Sequence, residues 1–269
     1  MIIKPKKSLG QNFLTSGKAI FEIIKGGDIK KSDVVVEIGP GKGVLTEKIL
    51  LHGAKLIAIE KDKNLIIFLK NKFQKEIEDK QLLLIEEDIL NIDFDKFLKN
   101  IYKEKINNIN YKLIGNIPYY ITGAIIEKFL SLDKKPSNIV FLVQKEVADR
   151  IVAKNKKESI LSLAVKLYGE PKIIYKVSAG SFFPKQKVDS AVISIILNNK
   201  NNINKNKEKL YFKIVKSAFS HKRKKMITNL KKDFKDKDLI KIFEKLNLDK
   251  NVRAEDLKKD DFLNIVDNL

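Results

Sequence analysis

The chain contains no cysteine and only two histidines among its 269 residues. Without thiols there can be no disulfide, no thiolate nucleophile and no cysteine-held metal. With only two histidines, His52 and His221, and no cysteine, no metal site is expected. Long apolar runs are missing too: none approaches the roughly 18 residues a membrane span needs, and no membrane partner is expected. The opening segment Met1 to Lys7 lacks the apolar stretch of a secretory signal, which leads to the expectation of a cytoplasmic protein. Acidic residues are the scarcer charged class, 34 Asp and Glu against 54 Lys and Arg, leaving a net charge of +20. Such a field attracts a polyanion such as nucleic acid and makes its binding salt-dependent. Lys, Asn and Ile are nevertheless abundant everywhere, as AT-biased coding would produce, so the placement of charge has to carry the argument.

What is present is a succession of short apolar runs, each followed by a polar turn and then a helical pattern, the alternation of a parallel α/β sheet. Seven strands are expected at Val34 to Ile38, Leu56 to Ile59, Leu82 to Ile85, Lys112 to Gly115, Ile139 to Val143, Lys172 to Val177 and Ala191 to Leu197. Helices are expected after the first, carrying Leu45 and Ile49, after the fifth, carrying Val147 and Ile151, and over Ile160 to Tyr168. The stretch Asn198 to Lys207 is almost all Asn and Lys, too polar to bury, and reads as a linker. Beyond it the spacing predicts helices throughout, with apolar faces at Leu210, Ile214 and Val215, at Met226, Ile227 and Leu230, at Leu239, Phe243 and Leu246, and at Phe262, Ile265 and Val266. Two domains are therefore expected, an α/β domain over residues 1–200 and a small α-helical domain over 201–269.

In an open parallel sheet, ligands bind beyond the carboxyl ends of the strands. Four polar strand ends are brought to that edge: Gly39, Glu60, Asp88 and Asn116. Each taken alone could be a turn former. The loop Gly39-Pro40-Gly41-Lys42-Gly43 lets backbone approach a ligand, but the position three after Gly41 is Val44, so a dinucleotide fingerprint is not met. Glu60 stands where an acid can accept both hydroxyls of a ribose, and Asp88 where one can accept from an adenine amine. Loop, ribose acid and adenine acid together describe an adenosine-containing ligand.

Asn116-Ile117-Pro118-Tyr119 discriminates most strongly. The lone pair of an adenine amine is delocalised into the ring and becomes nucleophilic only when hydrogen bonding pulls the nitrogen toward tetrahedral geometry. The Asn116 side-chain oxygen can accept one of its protons, Pro118 stiffens the turn, and Tyr119 can stack on the extruded base. No strong base is needed, because the nitrogen loses its proton after attack.

These segments resemble the small-subunit ribosomal RNA adenine dimethyltransferases of the KsgA/RsmA type, and the likeness runs nearly end to end. It is carried by Lys7 to Leu14, by Val36-Glu37-Ile38-Gly39-Pro40-Gly41, by Asn116 to Tyr119, by Phe182-Phe183-Pro184 with Lys187 to Val192, by Phe219 to Lys225, and by Arg253 to Leu257. The resemblance implies a Rossmann-like class I methyltransferase sheet, mostly parallel, with a small C-terminal helical domain. It implies S-adenosylmethionine as co-substrate, held by Asn12, Leu14, Gly39, Glu60, Asp88 and Asn116, to which the reading of the glycine loop adds Gly41. Asn12 and Leu14 enter through the resemblance alone. It further implies dimethylation of two adjacent adenosines in the 3′-terminal hairpin of small-subunit rRNA during ribosome assembly, with Phe182 stacking on the target base opposite Tyr119. The partner is then the immature small subunit, and the chain is expected to act as a monomer. Lys185 and Gln186 stand where many relatives have prolines, and Tyr120 where some have Asn, which bears on target-loop rigidity and on the choice between the adenosines.

Lys222, Arg223, Lys224 and Lys225, with Lys4, Lys6 and Lys7, are dense enough to contact phosphates, the alternative being a solvated surface. Other readings differ at identifiable residues. A non-catalytic rRNA-binding factor would not need Asn116 and Tyr119. A large-subunit adenine dimethyltransferase would share the loop and the catalytic turn, and only the opening segment and Arg253 to Leu257 separate it. A DNA adenine methyltransferase more often has two prolines after the first residue of the turn, and an NAD enzyme needs the absent third glycine.

Overall fold

The computed structural model describes residues 4–6, 9–103, 109–198 and 203–269. Lys7 and Ser8 of the opening segment, and residues 199–202 of the Asn/Lys stretch, lie outside them. In chain order the first elements are β1 (Phe13–Leu14), α1 (Gly17–Gly27), β2 (Val34–Ile38), α2 (Val44–Leu51), β3 (Lys55–Glu60), α3 (Lys63–Lys72), α4 (Gln74–Glu78), β4 (Leu82–Glu86) and α5 (Phe94–Tyr102). They are followed by β5 (Tyr111–Asn116), α6 (Thr122–Ser131), β6 (Asn138–Gln144), α7 (Lys145–Ile151), α8 (Ile160–Tyr168), β7 (Gly169–Val177), β8 (Phe182–Phe183) and β9 (Ser190–Leu197). The last four helices are α9 (Lys205–Ala218), α10 (Met226–Leu230), α11 (Leu239–Lys245) and α12 (Lys259–Val266).

Seven strands form one sheet in the order β4-β3-β2-β5-β6-β9-β7, each at a position the apolar runs indicate. The pairings of β2 with β3 and β5, of β3 with β4 and of β5 with β6 are parallel, while β9 runs antiparallel to β6. Strands buried on both faces read as unbroken apolar runs, as in the Asn138–Gln144 strand, whose five central residues are all buried. The edge strand β7 alternates half-buried and exposed residues instead. Between α1 and the sheet lies a core that includes Ile23, Val35, Ile49, Ile114 and Val140. A cluster of Phe94, Tyr111 and Phe129 adds further buried aromatic surface, the Phe94 and Phe129 rings meeting edge to face at 4.9 Å.

Helix starts follow local polar chemistry. Ser16 caps α1, Asp62 caps α3 and Asp93 caps α5, each side chain accepting a first-turn backbone N–H. Ser159 and Ser162 form a capping box at α8.

The chain divides into two compact units, residues 1–148 with 170–197, and residues 149–169 with 198–269. The last of the three breaks, at 197/198, lies close to the expected boundary at 200. The segment 149–169, expected in the first domain, belongs to the second unit, and its contacts explain why. The Tyr211 hydroxyl on α9 donates to the Leu163 carbonyl at 3.3 Å, Tyr168 stacks on Phe212, and Lys157 pairs with Glu255 and Asp256. Within that unit Tyr211, Phe243, Phe262 and Ile265 are fully buried.

Candidate active site

The strand order reverses at β2, with β3 and β4 to one side and β5 and β6 to the other. A crevice therefore opens beyond the carboxyl ends of β2 and β5, the position where sheets of this kind bind ligands. Gly39 leaves β2 with φ 65° and Gly41 follows at φ 57°. A Cβ on Gly41 would lie a tight 3.2 Å from the Phe13 ring, and φ there is one L side chains rarely adopt, so glycine eases the close approach of this loop to the N-terminal strap, residues 9–14 with Lys6 before them. The Gly41 N–H points at Glu60 Oε2, 3.3 Å away, and the Asp62 N–H donates to Glu60 Oε1 at 2.9 Å. Glu60 is only 7% exposed, and burial pushes its carboxyl above the usual range, opposed by those N–H groups.

Asp88 follows β4. It accepts from Lys61 Nζ at 2.8 Å and from the Leu90 N–H at 3.0 Å. Partial burial, the largest single influence, works against ionisation there, but the hydrogen bonds from Lys61 and the Leu90 N–H and the charges of Lys61 and Lys128 together hold the carboxyl below its ordinary value. Asn116 ends β5, and its Nδ2 donates to the Asn12 carbonyl at 2.8 Å. Since a carbonyl only accepts, this contact fixes which end of the amide faces the strap and leaves Oδ1 as the end available to a substrate. Pro118 sits at φ −55°, opening a short 3-10 turn over Tyr119–Ile121. The Tyr119 hydroxyl bonds the Ser190 Oγ at 2.6 Å, which anchors the ring from the first residue of β9. Burial raises the pKa of that phenol, so Tyr119 stays neutral.

One cavity of about 720 Å³ is lined by Asn12, Leu14, Gly39, Gly41, Glu60, Asp88 and Asn116, all the residues expected to hold a cofactor, and also by Pro118 and Tyr119. Its size lies within the usual range for small-molecule sites. Acceptors at Glu60 and Asp88, with apolar Ile38, Ile59 and Ile89 between them, fit a nucleoside better than a phosphate-bearing dinucleotide. Among the described residues no group of acidic and histidine side chains could hold a metal ion.

Phe182 requires correction. Its ring is 4% exposed and packs in the core with Leu14 and Val192, whereas Phe183, 57% exposed, lines the cavity. Successive strand residues point to opposite sides, and the pairing of Leu14 with Phe182 commits that side chain inward. Lys6 also differs from its expected phosphate-contacting role, since its Nζ pairs with Asp62 at 2.6 Å. Lys222 to Lys225 are exposed in the turn before α10, and no carboxylate pairs with them among the described residues. Sequence reasoning missed Lys42, whose Nζ lies over the Phe13 ring at 4.8 Å, and Lys61 and Gln11 on the cavity wall. Each had a positional signal: Lys42 lies inside the glycine loop, Gln11 inside the opening segment, and Lys61 beside Glu60.

A sheet with this order, opening a nucleoside-sized crevice between a glycine loop and an Asn-Ile-Pro-Tyr turn, belongs to the Rossmann-like methyltransferases. Solved structures agree. A dimethyladenosine transferase from Plasmodium falciparum superposes with a TM-score of 0.77 at 26% identity, covering 94% of this chain and 95% of that one. The 23S rRNA methyltransferase ErmE gives 0.76 at 19% identity, a likeness of fold, over 96% and 99%. Residues 2–269 match the family described as ribosomal RNA adenine dimethylase, and the chain belongs to it. Proteins called ribosomal RNA small subunit methyltransferase A are similar over nearly the whole length. That of Mycoplasmopsis pulmonis (strain UAB CTIP) is 38% identical, covering 97% of each chain, and that of Clostridioides difficile (strain 630) is 37% identical over 96% of this chain and 89% of its own.

Proposed function

We propose that the protein dimethylates the exocyclic amines of two adjacent adenosines in the 3′-terminal hairpin loop of small-subunit rRNA, using S-adenosylmethionine, during ribosome biogenesis. The observation that carries this reading is the Asn116 amide, turned by the Asn12 carbonyl so that Oδ1 is the end left for a donor. An adenine amine is such a donor. With one of its protons held by Oδ1, the nitrogen gains tetrahedral character and a localised lone pair. Bound in the same cavity, S-adenosylmethionine supplies an electrophilic methyl group. Glu60 is suited to its ribose hydroxyls and Asp88 to its adenine amine, while Gly39 and Gly41 allow close backbone approach.

Tyr119, neutral and anchored on Ser190, offers a flat face to an extruded base, and Phe183 offers a second aromatic surface at the cavity. Stacking on such faces tolerates any base, so the selection of adenine falls to hydrogen bonding. The choice of the small subunit is supported by the names of the similar proteins. The exposed basic turn at Lys222 to Lys225 is suited to rRNA phosphates, and a monomeric protein in the cytoplasm suffices for the reaction.

The test is incubation of labelled S-adenosylmethionine with small subunits that lack the modification. Wild-type protein is expected to transfer label to their rRNA, and Asn116→Ala to lose at least about 100-fold in rate with RNA binding little changed. Activity near wild type in that variant would sink the mechanism.

A further inference from the structure

Asp62 lies two residues beyond Glu60 and is 2% exposed. Its Oδ1 accepts the Asn64 N–H at 3.0 Å, which caps α3 and would by itself account for an acidic residue here. The carboxylate does more. It accepts Lys6 Nζ at 2.6 Å and, on Oδ2, Gln11 Nε2 at 2.8 Å, two side chains of the N-terminal strap. The Gln11 Oε1 in turn accepts the Lys6 N–H at 2.8 Å, tying the strap to itself at the same point. Burial opposes ionisation of Asp62, yet the bonds from Lys6 and Gln11 hold its carboxyl below the ordinary range. The residue after Gln11 is Asn12, whose carbonyl receives the Asn116 amide nitrogen.

We propose that Asp62 is a positioning residue for methyl transfer: it latches the strap so that the Asn12 carbonyl holds the Asn116 amide with Oδ1 toward the substrate amine. The inference rests on the reading of Asn116 given above. A side-chain amide turned by 180° presents an NH2 group where the reaction needs an acceptor, and a donor facing the donating amine gives no activation. The Asn12 carbonyl discriminates between the two orientations, and it is held in register one residue from the point where Asp62 grips the strap.

Asp62→Asn in the full-length protein separates latch from cap. Asn still caps a helix, but it loses the charge facing Lys6 and can place a donor against Gln11. The single-turnover rate of methyl transfer at saturating S-adenosylmethionine should fall about 10- to 100-fold. The affinity for S-adenosylhomocysteine, measured by calorimetry, should fall less than the rate, and hydrogen exchange at the amides of residues 9–14 should quicken. Lys6→Met, which leaves the α3 cap untouched, should move rate and exchange in the same direction even if Asp62→Asn folds poorly. Asp62→Asn combined with Gln11→Glu returns an acceptor to the junction and should recover much of the rate. Wild-type rates in both single variants, unchanged exchange at residues 9–14, or a loss confined to cofactor affinity would each overturn the proposal. Wild-type protein inactive on rRNA would instead sink the functional reading, and the exchange measurement would still decide whether the latch exists.

Discussion

Asn116 takes its orientation from neighbours in the chain, the strand that ends at it and the turn stiffened by Pro118, and from one distant contact, the Asn12 carbonyl of the strap. Asn116, Glu60, Asp88 and Gly39 were legible in the sequence because parallel strands deliver their ends to one edge, so position along a strand translates into position in the site. Asp62 and Lys6 were not, because a contact across 56 residues leaves no local pattern. Glu60→Ala should weaken S-adenosylhomocysteine binding about tenfold or more in calorimetry, since charged hydrogen bonds contribute roughly 1.5–3 kcal/mol; unchanged affinity would remove Glu60 from the ribose. Glu37 in β2 poses a different question. It is 1% exposed, accepts the Thr46 hydroxyl at 2.6 Å, and has a second oxygen without a hydrogen-bond partner among the described residues. Burial raises its pKa to about 7. The folded protein therefore binds a proton more tightly than the unfolded chain, so this contribution to stability is full below about pH 4.5 and is lost as pH rises to about 7. Denaturant titrations from pH 4.5 to 7.5 should show Glu37→Gln gaining on wild type, by up to about 3 kcal/mol. Parallel curves would contradict the assignment.

At the scale of elements, all seven strands of the large sheet announce themselves as apolar runs bounded by turns. The two-residue strands β1 and β8 do not, because two residues carry no period. Their pairing, Phe13 with Phe183 and Leu14 with Phe182, decides which phenylalanine faces the cavity. Phe182→Ala should destabilise by about 3–5 kcal/mol in denaturant titration through the cavity it leaves. Phe183→Ala should change stability by less than about 0.5 kcal/mol, yet raise the KM for RNA on the order of tenfold by removing a stacking surface. If Phe182→Ala proves neutral for stability and the RNA KM responds to it instead, the inward placement of its ring is wrong. Helix α8 illustrates a second limit: its span and its Gly169 stop are visible in the sequence, but an apolar helical face does not say which core it joins.

For the whole molecule, a net charge of +20 spread along the chain could not by itself distinguish RNA binding from biased composition. The structure gives one basic run a definite setting. Lys222 to Lys225 occupy an exposed turn whose shape is fixed by Asn229, its amide donating to the Ala218 and His221 carbonyls at 2.6 and 3.1 Å. Replacing the four with Ala should lower the slope of log affinity for RNA against log salt by about 3, close to one unit for each phosphate no longer neutralised. An unaltered slope would make the turn merely solvated. The central claim, that this family member acts on the small subunit, is tested most directly by mapping methylated nucleotides after incubation with unmodified small and large subunits in competition. The account expects two adjacent dimethylated adenosines in the 3′-terminal hairpin of the small-subunit rRNA and none elsewhere. Dimethyladenosine in large-subunit rRNA, or no methylation above that of Asn116→Ala, would contradict it.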